Sequence, residues 1–236
     1  MNTCSAIFLC VAAAFSVSAQ ATPITVQNFS FEQPDLGHDT STTERFVSSS
    51  VPGWSSTGSA GTGFGVADPS DRNYSGANGP VLPGTADGAQ YAFLNLPSGF
   101  GNTLTYAGSS LGNFISGVTY SLTVALGGRR DGGAPPDHYG ITLLANGLAV
   151  GVSAAAAGIA DNFFDLTYSF TATDAQNGMA IGIALSATNT GPRFEQANFD
   201  NVRLSDSSVP EPATLLLLSL GLAGMGALRR RDSARG

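Results

Sequence analysis

Val118-Thr119-Tyr120-Ser121-Leu122-Thr123-Val124-Ala125-Leu126 alternates apolar and small polar residues with a period of two. Successive side chains of an extended chain point to opposite faces, so Val118, Tyr120, Leu122, Val124 and Leu126 share one face and Thr119, Ser121, Thr123 and Ala125 the other. A strand with one buried face follows. On the C-terminal side, Phe164, Leu166, Tyr168 and Phe170 repeat the pattern, as do Met179, Ile181, Ile183 and Leu185. Asn146-Gly147 separates the strand candidates Tyr139 to Leu144 and Leu148 to Val152, and this dipeptide supplies the positive φ angles of a two-residue hairpin. Ala89 to Leu96 and Phe199 to Leu204 complete the set. Ser153 to Ala160 is alanine-rich, but Gly158 and the absence of an amphipathic stripe favour a loop. Ser55 to Gly88, rich in Gly, Ser, Asp and Asn, reads as long surface loops. Strands without convincing helices, punctuated by 30 glycines and 12 prolines, predict an all-β domain: a two-sheet antiparallel β-sandwich.

The two ends of the 236-residue chain have a different character. Ile7 to Ala19 is apolar and closes on Val17-Ser18-Ala19 and Ala19-Gln20-Ala21, both small-x-small, so residues 1–21 are expected to be a signal peptide cut after Ala19 or Ala21. Cys4 and Cys10 both lie in this leader, and the mature protein then has no disulfide or catalytic thiolate. At the other end, residues 209–212 are Val-Pro-Glu-Pro, 213–228 form an uncharged apolar run, and Arg229, Arg230 and Arg231 open a basic tail that ends at 236. At ~1.5 Å per residue that run would span roughly 24 Å as a transmembrane helix. The arginines would stay on the cytoplasmic side of the inner membrane. One domain, residues 22–208, lies between.

Pro210-Glu211-Pro212, the short apolar run and the arginine cluster, in that order, resemble the PEP-CTERM sorting signal of Gram-negative bacteria that make exopolysaccharide. The resemblance implies export, processing by signal peptidase and exosortase, transient residence in the inner membrane, and a destination at the cell surface or in the extracellular biofilm matrix. Of the chain's 17 acidic residues only Glu211 and Asp232 lie in the tail, so residues 22–208 carry 15 carboxylates against 6 arginines and no lysine. That balance repels a phosphate backbone and argues against nucleic acid.

Asn28-Phe29-Ser30-Phe31-Glu32 and Phe199-Asp200-Asn201-Val202-Arg203-Leu204 resemble the first and last strands of galactose-binding-like jelly rolls, the fold of many carbohydrate-binding modules. The resemblance implies a structural calcium ion between those strands, with Glu32 and Asp200 as its carboxylate ligands.

Enzyme motifs are sparse. Gly108-Ser109-Ser110-Leu111-Gly112 fits the nucleophile elbow G-x-S-x-G, but the chain after it leads into the alternating strand at Val118 rather than a helix. His38 and His138 are the only histidines, and no zinc signature surrounds them. For sugar binding, Trp54 and Tyr74 are candidate aromatic faces, although Trp54, directly after Val51-Pro52-Gly53, reads more readily as a core or rim residue than as a platform. Arg129, Arg130, Asp131, Asp137 and His138 form a charged loop with planar donors. The expectation at this point is a non-enzymatic surface or matrix protein that contacts exopolysaccharide. A secreted polysaccharide-acting hydrolase and a passive matrix protein are the alternatives.

Overall fold

The computed structural model describes residues 21–37, 43–58, 61–77, 82–106, 109–131 and 138–208. The leader cut at Ala19, the sorting signal with Pro210, Glu211 and Pro212, the apolar run 213–228, His38 and Asp137 lie outside the described residues. Among the described residues no helix is long and apolar enough to cross a membrane.

Among the described residues thirteen strands follow one another: β1 (Thr22–Ile24), β2 (Arg45–Ser48), β3 (Ser55–Ser56), β4 (Gly63–Asp68), β5 (Tyr91–Leu96), β6 (Gly101–Tyr106), β7 (Val118–Gly128), β8 (His138–Ala145), β9 (Leu148–Ala149), β10 (Ala154–Ala156), β11 (Asn162–Thr171), β12 (Ile181–Thr188) and β13 (Glu195–Ser208). They form two antiparallel sheets, as the alternation predicts. One runs β11-β7-β13-β5-β4-β2 with β1 also on β13, and the other runs β10-β8-β12-β6-β3 with β9 on β8. The inward residues of β7, Tyr120, Leu122, Val124 and Leu126, meet Leu104, Ile141, Leu143, Ile183 and Leu185 of the opposite sheet in one core. On the outer face Thr119, Ser121 and Thr123 each share a hydroxyl hydrogen bond with Thr171, Ser169 and Thr167 of β11, at 2.8 to 2.9 Å. Asn146 and Gly147 close the β8–β9 hairpin at φ values of 50° and 83°.

β1 lies along the far half of β13, with Thr22 opposite Asp206 and Ile24 opposite Leu204. The near half of β13 pairs with β5, Phe199 opposite Ala92 and Glu195 opposite Leu96. The long last strand therefore holds the start of the domain and its centre together.

Three segments depart from the sequence reading. Residues 154–156, expected in a loop, form β10 against β8. β9 stops after two residues, and Leu148 and Val152 are exposed. Most consequentially, the stretch expected as surface loops contains β4, a strand inside the larger sheet. Gly65 belongs there because a Cβ at this position would meet the Phe93 ring at 2.7 Å. The chain after β4 then folds back over the outer face of the sheet. Tyr74, Ala77 and Leu82 are buried against Tyr91, Phe93, Ala125 and Phe163, a second apolar cluster separate from the main core. β5 is consequently buried on both faces: Ala92, Leu94 and Leu96 enter the main core, Tyr91 and Phe93 the second cluster.

Tyr74 anchors this cover. Its ring packs at 5.1 Å from Phe163 and 5.7 Å from Tyr91, and its hydroxyl bonds the Asn198 side chain. Truncating a fully buried aromatic ring costs about 3 to 5 kcal/mol, whereas losing one neutral hydrogen bond costs about 1 kcal/mol. Urea unfolding should therefore place Tyr74→Ala about 3 to 5 kcal/mol below wild type and Tyr74→Phe within about 1 to 2 kcal/mol of it. A Tyr74→Ala variant of wild-type stability would mean that the segment is an uncoupled surface loop.

Candidate functional site

At one end of the outer face, beside the second cluster, polar side chains from four distant segments converge. Arg129 is the first residue after β7, Glu44 immediately precedes β2, Gln196 lies on β13, and Ser70 to Asn73 follow β4. The Arg129 guanidinium meets Asp131 in a fork, Nε donating to Oδ1 at 2.9 Å and Nη2 to Oδ2 at 3.0 Å. Nη1 donates to Glu44 Oε1 at 2.6 Å and to Gln196 Oε1 at 3.3 Å. Asn73 completes the arrangement by donating to Asp131 Oδ2 at 2.9 Å while its own Oδ1 accepts from the Ser70 amide at 2.8 Å. Thr43, Glu44, Ser70, Arg72, Asn73, Arg129 and Asp131 line a cavity of ≈ 460 Å³.

The two carboxyls of this cavity are tuned in opposite directions. Burial works against ionisation of Asp131, but the hydrogen bonds and charge of Arg129, with help from Asn73, outweigh it and hold the group below the usual aspartate range. At Glu44 burial is the largest influence and wins over Arg129, and the neighbouring Asp131 charge pushes the same way, so its pKa is raised. A pair of acids whose surroundings separate their titrations can divide the roles of ionised partner and proton donor. Tyr91 lies beneath them, fully buried. Its hydroxyl interacts with both Glu44 and Arg129.

A second carboxylate group lies where the sequence placed a cation. Glu32 Oε1 accepts from the amides of Ala89 and Gln90 at 2.8 and 2.9 Å. Asp200, fully buried, accepts from the amides of Asp87 and Asn201, both at 2.7 Å. Burial raises the Asp200 pKa well above the usual value, with Glu32 and Asp87 adding to the effect. Burial likewise raises that of Glu32, with Asp87 and Asp68 acting in the same direction. Among the described residues no three His, Cys, Asp or Glu side chains gather into a metal-binding group. Any cation held here would thus need backbone oxygens as well.

The structure separates the residues proposed for sugar contact. Trp54 is 8% exposed and packs between Phe31 and Tyr106 at 5.4 and 5.2 Å, so it is a core residue and offers no platform. Tyr74 is wholly covered and offers none either. Arg129 and Asp131 are locked to each other, and Arg130 turns to Ser75 Oγ at 2.6 Å. His138 is exposed at the start of β8, in the other sheet. Ser110, in the G-x-S-x-G stretch, shares a hydrogen bond with the Tyr106 hydroxyl at 2.7 Å and sits on a single 3-10 turn. Sequence reasoning missed Glu44, Arg72, Asn73 and Gln196. No local pattern marks them, because only the sheet order brings them to Arg129.

Comparison with known proteins bears directly on this site. Residues 208–231 match the PEP-CTERM protein-sorting motif, which marks the chain for export across the inner membrane and for exosortase processing. No curated protein sequence matches the chain. Among solved structures, the chain is similar to a Stig cyclase, Fisc from Fischerella sp. TAU, in complex with (3Z)-3-(1-methyl-2-pyrrolidinylidene)-3H-indole. That likeness has 23% identity and a TM-score of 0.61 over 82% of this chain and 99% of that one. A Fischerella sp. TAU cyclase in complex with 4-(1H-Indol-3-yl)butan-2-one is similar at 23% identity and a TM-score of 0.57, over 80% and 100%. An arabinose-bound α-L-arabinofuranosidase shares the fold over 78% of this chain and 26% of its own, at 12% identity and a TM-score of 0.51. Residues 22–205 match the family model described as HpiC1 cyclase. This overturns the expectation of a non-enzymatic exopolysaccharide-binding module, since the matched family is described by an enzyme. Matched over nearly the whole β domain, the chain belongs to the HpiC1-like family.

Proposed function

We propose that the chain is an exported cyclase-type enzyme that closes rings by acid catalysis in the cavity beside Arg129. The observation that carries this reading is Glu44, a carboxyl 22% exposed at the cavity wall, whose burial keeps it protonated above the ordinary glutamate range. A general acid works best when its pKa approaches the working pH, and burial is the usual way to bring a glutamate there. Arg129 adds the second requirement. Its Nη1 is already 2.6 Å from Glu44 Oε1, so the carboxylate formed when the proton leaves is stabilised without rearrangement. The fork to Asp131 fixes the guanidinium in that position. Protonation of the substrate, attack by a carbon or heteroatom of the same molecule, and return of a proton from the ring-closed cation to Glu44 leave the atoms unchanged in number. The product is an isomer of the substrate.

Adding purified protein to the small molecules of the host's culture medium should therefore convert one compound into another of identical mass. Glu44→Gln should slow the conversion by about 10²- to 10⁴-fold, the usual contribution of a general acid. The wild-type rate should be highest at low pH and fall as the pH rises through the raised Glu44 value, above its ordinary 4.5. Equal conversion by Glu44→Gln, or a rate that climbs through that range, overturns the assignment.

A structural calcium ion belongs to the same reading. Glu32 and Asp200 are hard oxygen donors. Asp200 is buried with only two backbone amides facing its charge, which suits a cation better than it suits an isolated carboxylate. These two residues would hold the ion with backbone carbonyls, and its contribution would be to fasten the opening segment to β13. Calcium at ~100 times its dissociation constant adds about 2.7 kcal/mol to the native state. For a domain of this size that raises the Tm by roughly 5 to 10 °C. Calorimetry of chelator-treated protein should show this rise on adding calcium, and Asp200→Asn should abolish it. Superimposable melting curves with and without calcium would leave Glu32 and Asp200 as carboxylates held only by backbone amides.

A further inference from the structure

The β domain has six arginines and no lysine; Arg72 and Arg129 line this cavity, and Arg130 lies beside it, bonded to the Arg72 carbonyl. Their surroundings hold one of them only loosely. Arg129 is committed to Asp131, Glu44 and Gln196. Arg130 is committed to the Ser70–Ser75 segment: its amide donates to Asn73 O at 3.0 Å, its Nε to Arg72 O at 3.3 Å and its Nη1 to Ser75 Oγ at 2.6 Å. Arg72 differs. Its side chain is 82% exposed, and its Nε lies 3.7 Å from Asp131 Oδ2, beyond hydrogen-bond reach of an oxygen that already accepts from Arg129 and Asn73.

The backbone beneath Arg72 is nevertheless held firmly. Ser70 Oγ accepts from the Arg72 amide at 3.3 Å, and Arg130 accounts for its carbonyl. A mostly exposed guanidinium fork on a fixed base, held at the edge of a cavity by no more than a 3.7 Å ion pair, is suited to bidentate capture of an oxyanion. The rest of the lining decides which oxyanion. Among the described residues it holds no aliphatic or aromatic side chain, so a wholly apolar ligand would strand its polar groups. Glu44 and Asp131 line the same cavity, and a doubly charged group such as phosphate would be repelled by them more strongly than a single carboxylate.

We propose that the substrate carries a carboxylate and that Arg72 receives it at the cavity mouth, with Arg130 as a positioning residue. This inference rests on the cavity beside Arg129 being the reaction site. Among the described residues the lining is polar, which sets this substrate apart from the neutral indole ketone bound to the similar Fischerella cyclase.

The test compares two probes that differ only in that charge, 3-(indol-3-yl)propanoate and its primary amide, titrated by calorimetry into the full chain in detergent at low salt. The carboxylate should bind about tenfold or more tightly than the amide, and the preference should shrink as salt rises, because Arg72 is exposed. Arg72→Ala should bring the ratio close to one, and Arg72→Lys should restore only part of it. Glu44→Gln should keep or enlarge the preference, because it removes a like charge from the lining, whereas Arg72→Ala loses it, which separates this inference from the assignment of the proton donor. Equal binding of acid and amide, binding of neither at millimolar concentration, or an undiminished preference in Arg72→Ala overturns the proposal. Stronger competition by inorganic phosphate than by the carboxylate overturns it also, by assigning the fork to free phosphate.

Discussion

A single guanidinium ties the outer face of the sandwich together. Arg129 reaches Asp131 two residues away, Glu44 just before β2 at the other edge of the sheet, and Gln196 on the last strand. Its charge explains why an acid as shielded as Asp131 stays ionised. The same charge also limits how far burial can raise Glu44. An arginine is required, because a lysine ammonium cannot grip a carboxylate in a fork and still reach a second acid and an amide.

Apolar burial positions that guanidinium. The second cluster, built on Tyr91, Phe93, Phe163 and Tyr74, closes the sheet's outer face next to the cavity and leaves only its polar corner open. Gly127 makes this possible at the end of β7, where any Cβ would fall 2.5 Å from the Phe163 ring. The interior of the sandwich supplies stability, and the burial of Glu44 at the edge of the covered outer face raises its pKa.

How legible this was in the sequence depended on how local the cause was. β7, β11 and β12 were readable because each has one face in the core and the other outside it, which period-two alternation reports directly. Asn146-Gly147 was readable because its turn needs no partner elsewhere. β4 was not, since Gly63 and Gly65 erase the alternation, and Gly65 is there to clear a ring contributed by β5. Tyr74 stood in a stretch whose composition resembles a loop, and its burial depends on rings from β5 and β11. At the site, Arg129, Arg130 and Asp131 stood out as a charged run, whereas Glu44, 85 residues before Arg129, had nothing to connect it to them. The alternation and the jelly-roll resemblance both led to a sandwich, which the structure shows, and the resemblance led further to a non-enzymatic binding module, which the family match overturns. A shared fold carried the architecture but not the chemistry.

The pairing of β1 with β13 brings the two ends of the domain to one corner, Thr22 lying opposite Asp206. Paired strands sit about 4.8 Å apart. The loop-closure entropy of joining the ends with a short linker is therefore small, and the backbone is nearly a closed ring already. Such a domain is topologically indifferent to where its chain begins. It can be opened at an exposed hairpin such as Asn146-Gly147 and resealed at the β1–β13 corner, with the cavity beside Arg129 untouched at the opposite half of the last strand.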